Sequence, residues 1–131
     1  MYYFEKDYIM RLIHGIARIL ARMLFNRELE EDGEFAAVME EAERESDDYL
    51  RQMVDDGKVN EAEEKLFDLI ASASWDEKQK AALVLSFYDY LNDKSDEFLA
   101  AADFSREEII HGLEDGMKAV GMEIPEYLRI Y

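Results

Sequence analysis

Arg11, His14, Arg18 and Arg22 recur at spacings of three and four residues, which puts them along one side of a helix. Guanidinium groups in a row can take a carboxylate or another anion through forked hydrogen bonds. The strip lies in residues 8–25, YIMRLIHGIARILARMLF, where three arginines are the only charges among apolar residues. One reading pairs these arginines with acids of a second or third helix at the edge of the molecule. Asp7, four residues before Arg11, already sits in the stabilising order for such a pair. The other reading makes Arg11, His14, Arg18 and Arg22 a recognition strip for an acidic peptide or an anion, and these four are the candidate binding residues.

Other constellations point to less chemistry. Glu108 and His111 have the Glu-x-x-His spacing of di-iron carboxylate bundles, but that site needs a second such pair and two further glutamates, and the other histidine, His14, follows Arg11 instead. No metal and no cofactor are therefore expected. The acidic run of residues 40–48, EEAERESDD, lacks the alternating ligands and the glycine of a calcium loop and reads as a solvated face. Gly112 and Gly116 lie inside a helical pattern, not after a strand where a phosphate loop would begin. No serine, histidine and acid share a spacing that would make a nucleophile. The chain is expected not to be an enzyme.

Composition narrows the partners. The 131 residues carry 32 acids, 15 bases and a net charge of −17, with no cysteine. Residues 1–29 hold five bases and three acids, so the remainder carries −19. A field of that sign repels phosphates, which disfavours nucleic acid and anionic lipid and favours basic protein surfaces. Arg11, Arg18 and Arg22 would each cost about 2.5–3.5 kcal/mol at the middle of a spanning helix. Glu5 and Asp7 interrupt what would be the positive start of a signal peptide, so the default location is the cytoplasm.

The elements that must position the strip follow from periodicity. One proline and no useful strand alternation predict an all-α single domain spanning residues 1–131, a bundle of about six helices. The first helix is expected from about Glu5 to Leu29, with an apolar arc wide enough to demand neighbours on most sides, so it is expected as the central strut, its neighbours supplied by the bundle, by a second copy in a homodimer or by lipid headgroups. The second is expected to bury Phe35, Met39, Ala42, Tyr49 and Met53 beside Leu50 and Val54. Ser74 and Glu77 have the form of a capping box opening a fourth helix, and Ser105 and Glu108 one opening a sixth, which Gly121 should cap. Phe98 and Leu99 should lie on a short fifth helix, and Tyr127, Leu128, Ile130 and Tyr131 should pack back on the core.

Residues 49–70, YLRQMVDDGKVNEAEEKLFDLI, resemble one tetratricopeptide-type helical hairpin. Gly57 stands where the first helix of that repeat ends, Val59 staples the turn, Ala62 permits close helix approach, and Leu66 and Leu69 continue the seam. Thirty-four residues beyond Gly57 the pattern does not recur, so one hairpin is expected and not an array. The opening MYYFEKDYIMRLIHGIARIL, with YDYLNDKSDEFL and DFSREEI, is also similar to a family of small helical bacterial proteins of unknown function. That resemblance brings no activity, cofactor or catalytic residue. The expectation is a non-enzymatic adaptor that binds a protein or peptide; the alternative is a peripheral membrane protein using the basic amphipathic first helix.

Overall fold

The computed structural model describes residues 2–25, 39 and 41–122, which form six helices: α1 (Tyr2–Phe25), α2 (Glu41–Asp55), α3 (Val59–Ser72), α4 (Glu77–Asn92), α5 (Asp96–Ala101) and α6 (Arg106–Ala119). Among the described residues there is no strand. The centre of the bundle is α4. Its residues 81–88 read AALVLSFY, without a charge, and every one is buried, as are Asp89, Leu91 and Asn92. A helix apolar on all sides can be wrapped on all sides, and α6, α1 and α2 pack around this one while α3 closes against α2 and α6.

This corrects the expectation that the first helix is the interior strut. α1 buries Ile13, Ile16 and Ala17 but leaves Tyr8 and Ile19 exposed. Guanidinium groups at 11, 18 and 22 need water or acids, whereas α4 carries no such group through its middle.

α2 and α3 form a helical hairpin. The chain leaves α2 through Gly57 at φ +84°, with Gly57 N–H donating to the Val54 carbonyl (2.8 Å) and Lys58 N–H to that of Met53 (2.9 Å). That is the Schellman arrangement, which satisfies orphan carbonyls at a helix end and favours glycine. Val59, Ala62 and Leu66 are fully buried and Leu69 is half-buried on the same core. The same hydrogen-bond pattern ends α6 at Gly121, as read, and ends α5 with Asp103 in the left-handed position at φ 57°.

Caps set the other boundaries. Ser105 and Glu108 close their capping box and launch α6. At α4 the box is Asp76 with Gln79, so Ser74 is not the cap; beginning the helix two residues later leaves Trp75 in the extended linker, from which it packs on the core. α6 approaches α4 through Gly112 and Gly116, one turn apart on the same face; a Cβ on Gly112 would lie 2.5 Å from Tyr88 Cε1, and one on Gly116 2.7 Å from Val84 Cγ1. The expectations for Phe35 and for the tail with Tyr127, Leu128, Ile130 and Tyr131 fall outside the described residues.

Candidate interaction surface

α1 divides lengthwise. Against its buried side, Tyr8, Arg11, Leu12, Gly15, Ile19 and Arg22 fall within a sector of about 100° when each residue advances 100°. Tyr8 is 56% and Ile19 40% exposed, and Arg11 and Arg22 are exposed beside them. Gly15, at the middle of this face, has open space above it: an added Cβ would meet no atom of the described residues within 4 Å. The surface is thus an apolar ridge with a notch, edged by guanidinium groups.

His14 and Arg18 tie the edge of that face to the core helix. Arg18 Nε–H donates to His14 Nε2 at 2.7 Å, and His14 Nδ1 lies 3.3 Å from Asp89 Oδ1 of α4. A histidine accepting at Nε2 carries its proton at Nδ1, so Nδ1–H points to the buried carboxylate. An acid that orients a histidine is half of a nucleophile-activating triad, but here the lone pair a base would use is taken by a guanidinium. The arrangement positions Arg18. The sequence nominated four residues; two are braced on α4 and two, Arg11 and Arg22, stand on the outer surface. The acid bracing the strip is on the fourth helix, where the second or third was expected, because α1 packs chiefly on α4 and α6.

α2 corrects the sequence reading of its faces. Glu43 and Asp47 are buried with Leu50 and Val54, whereas Ala42 and Tyr49 are exposed and Met53 half-buried. The acidic run is therefore not wholly solvated. Glu43 Oε1 accepts from Gln79 Nε2 at 2.7 Å; Asp47 accepts from Ser86 Oγ (2.7 Å) and Arg51 Nε (3.1 Å), and Arg51 Nη2 donates to Ser86 Oγ (3.0 Å). These bonds clip α2 to α4. The outward face of α2 is strongly acidic: Glu41, Glu45 and Asp48 are exposed around Tyr49, itself 55% exposed, with Asp55 and Asp56 at its end.

Burial holds two carboxyls above their ordinary range. At Asp47 desolvation outweighs the pull of Arg51 and Ser86; at Glu63 desolvation leads, Tyr88 O–H donating at 2.6 Å opposes it, and Glu108 and Asp115 add to it. The same burial and the Glu63 charge push the Tyr88 hydroxyl far up. A native state that holds protons more tightly than the unfolded chain gains stability as pH falls through the raised native value toward the ordinary one. Asp55, held low mainly by hydrogen bonds from Lys94 and Tyr90, has the opposite sign, but its contribution is lost only below about pH 4. Mild acidification also reduces the self-repulsion of a −17 chain. Thermal midpoints measured in steps from pH 7 to about pH 5 should therefore rise, and Glu63→Gln should reduce the rise. A midpoint that falls throughout would contradict the assignment.

Elsewhere the chemistry is structural. Glu108 Oε2 accepts from the Ser105 backbone N–H at 2.7 Å, so the acid of the Glu-x-x-His spacing serves the cap, and His111 is exposed one turn on. Among the described residues no group of three or more histidines, cysteines and acids could hold a metal. A groove of ≈ 650 Å³ between α5 and α6 is floored by Leu99 and Phe104 and rimmed by Asp96, Asp103 and Glu108, with Arg106 at its base. Arg106 is 8% exposed and engaged: it donates to the carbonyls of Asn92 (2.7 Å) and Lys94 (2.6 Å) and to Asp96 Oδ1 (3.1 and 3.3 Å).

Comparison with curated proteins and with solved structures gives no match. A family model does match, over residues 3–121, nearly the whole described chain. The chain therefore belongs to that family, a family of unknown function, DUF6483.

Proposed function

We propose that this protein is a non-enzymatic association module, an adaptor whose docking surface is the outer face of α1 and whose α2–α3 hairpin is tetratricopeptide-like. The observation that carries this reading is the composition of that face. Tyr8 and Ile19 stand exposed beside Arg11 and Arg22 on a molecule whose remainder is acidic. Aromatic and aliphatic anchors rimmed by arginine are what a protein interface uses, and the charge selects an acidic amphipathic segment. Gly15 adds a second reason. Glycine inside a helix costs roughly 1 kcal/mol relative to alanine, and among the described residues no neighbour needs the space; a partner crossing closely over α1 would need it.

The membrane alternative has less support. Ile13, Ile16 and Ala17 are turned inward, and among the described residues no helix is long and apolar enough to cross a membrane.

The test uses a labelled synthetic helical peptide with glutamates flanking a tyrosine and leucines, titrated with the intact protein and followed by fluorescence anisotropy. Binding should weaken by about tenfold or more in the Arg11→Gln, Arg22→Gln double variant. Equal binding by both proteins would remove the α1 face as the docking surface.

A further inference from the structure

We infer that the acidic segment docking on α1 is α2 of a second copy of this chain, an assignment that rests on the reading of α1 as a docking face. Three exposed large apolar side chains occur among the described residues: Tyr8 and Ile19 on α1, and Tyr49 on α2. All three lie on outward helix faces, and the two faces carry opposite charge. α1 presents arginine and α2 presents glutamate and aspartate.

The spacing also agrees. Laying the two helices parallel with Tyr49 over Gly15 puts Glu45 opposite Arg11 and Asp56 opposite Arg22, each pair at the same offset along the chain. In the same register Met53 comes opposite Ile19. An antiparallel arrangement about the same centre places Arg11 beside Met53 and Tyr8 beside Asp56 and loses both ion pairs. Tyr49 then fills the notch above Gly15, a large ring entering the one position of α1 that lacks a side chain, as a knob enters a hole. Each copy carries both faces. From Tyr8 to Arg22 the contact runs about 21 Å, a short interface, so self-association should be of micromolar class rather than obligate.

Light scattering on size-exclusion eluates and sedimentation velocity, from about 1 to several hundred µM, read the assembly directly. The intact chain should gain mass with concentration. Two charge-reversed variants, Arg11→Glu with Arg22→Glu and Glu45→Arg with Asp56→Arg, should each shift the midpoint upward about tenfold or more. An equimolar mixture of the two should restore association, because each reversed α1 then meets a reversed α2. Circular dichroism melts check that both variants fold. Non-specific charge would act otherwise: the second variant is less acidic than the parent and would associate more readily. A third variant, Gly15→Phe, fills the notch and should also abolish association, while Gly15→Ala leaves the monomer folded.

A chain that stays monomeric throughout, or an assembly indifferent to both reversals, overturns the inference. If the acidic peptide nevertheless binds α1 of a monomeric chain, the docking face stands and only its occupant changes. If neither the peptide nor a second copy binds, both readings fall.

Discussion

Gly112→Ala should destabilise the protein by about 2 kcal/mol or more, although alanine is the better helix former by roughly 1 kcal/mol. The added methyl would lie 2.5 Å from Tyr88 Cε1 and 2.6 Å from its Cζ and hydroxyl oxygen, well inside van der Waals contact. Tyr88 cannot yield cheaply. It is fully buried on α4, its ring meets Phe87 edge-on at 5.0 Å, and its hydroxyl donates to Glu63 of α3 at 2.6 Å. Moving the ring breaks that bond, and moving α6 opens the packing at Gly116 against Val84. Gly112→Leu should therefore fail to fold. Gly15→Ala is the control with the opposite sign: its methyl meets nothing, so the monomer should gain up to about 1 kcal/mol. Urea unfolding of the three variants at one protein concentration, low enough to keep the chain monomeric, separates these outcomes. A stabilised Gly112→Ala would mean that the two helices do not approach as closely as described.

The different roles of these glycines also mark what was legible in the sequence. The helical periodicity of the chain was plain, as were the Gly57 turn, the packing of Val59, Ala62 and Leu66, and the Ser105–Glu108 cap, because each depends on neighbours a few residues away. Which helix lies at the centre depends on all the others, and α1 competed for that place on its count of isoleucines and leucines. The arginines decided against it, since a charge can be kept wet at the surface but not in the middle of a bundle. α2 was misread for a related reason. Its inner face holds Glu43 and Asp47, so seeking apolar residues at helical spacing selected Ala42 and Tyr49 and turned the helix by roughly a quarter turn. Gln79 and Ser86 on α4 help make those acids tolerable inside, and both lie more than 30 residues away. The same turn that hid the inner face placed Tyr49 outside, which is why its pairing with the α1 notch could not be read from sequence. The strip itself was legible, but the division of labour within it was not. His14 and Arg18 are braced by Asp89, 75 residues from His14, while Arg11 and Arg22 are exposed on the outer face.

Arg106 was not singled out by any pattern, yet its removal should be among the most damaging single changes. Its guanidinium enters from the first turn of α6, where the helix dipole disfavours a cation. Three acceptors offset that cost. The Asn92 carbonyl is one of the orphan acceptors at the end of α4, the Lys94 carbonyl belongs to the loop that follows, and Asp96 begins α5. One side chain thus fixes the end of the central helix, the α4–α5 loop and the start of α6 with respect to each other. Arg106→Met keeps most of the stem's packing but leaves the two carbonyls without their donors in a site that water reaches poorly. The expected loss is about 3 kcal/mol, which for a chain of this size lowers the thermal midpoint by roughly 10 °C. Arg106→Lys retains the charge but cannot reach three acceptors from one planar fork, and should recover no more than about half of the loss. A wild-type midpoint in Arg106→Lys would show that charge alone, rather than the fork, holds this corner together. If the fork is what matters, the order of stability is arginine, lysine, methionine, and the α5–α6 corner of Arg106→Met should exchange amide hydrogens well before the α2–α3 hairpin does.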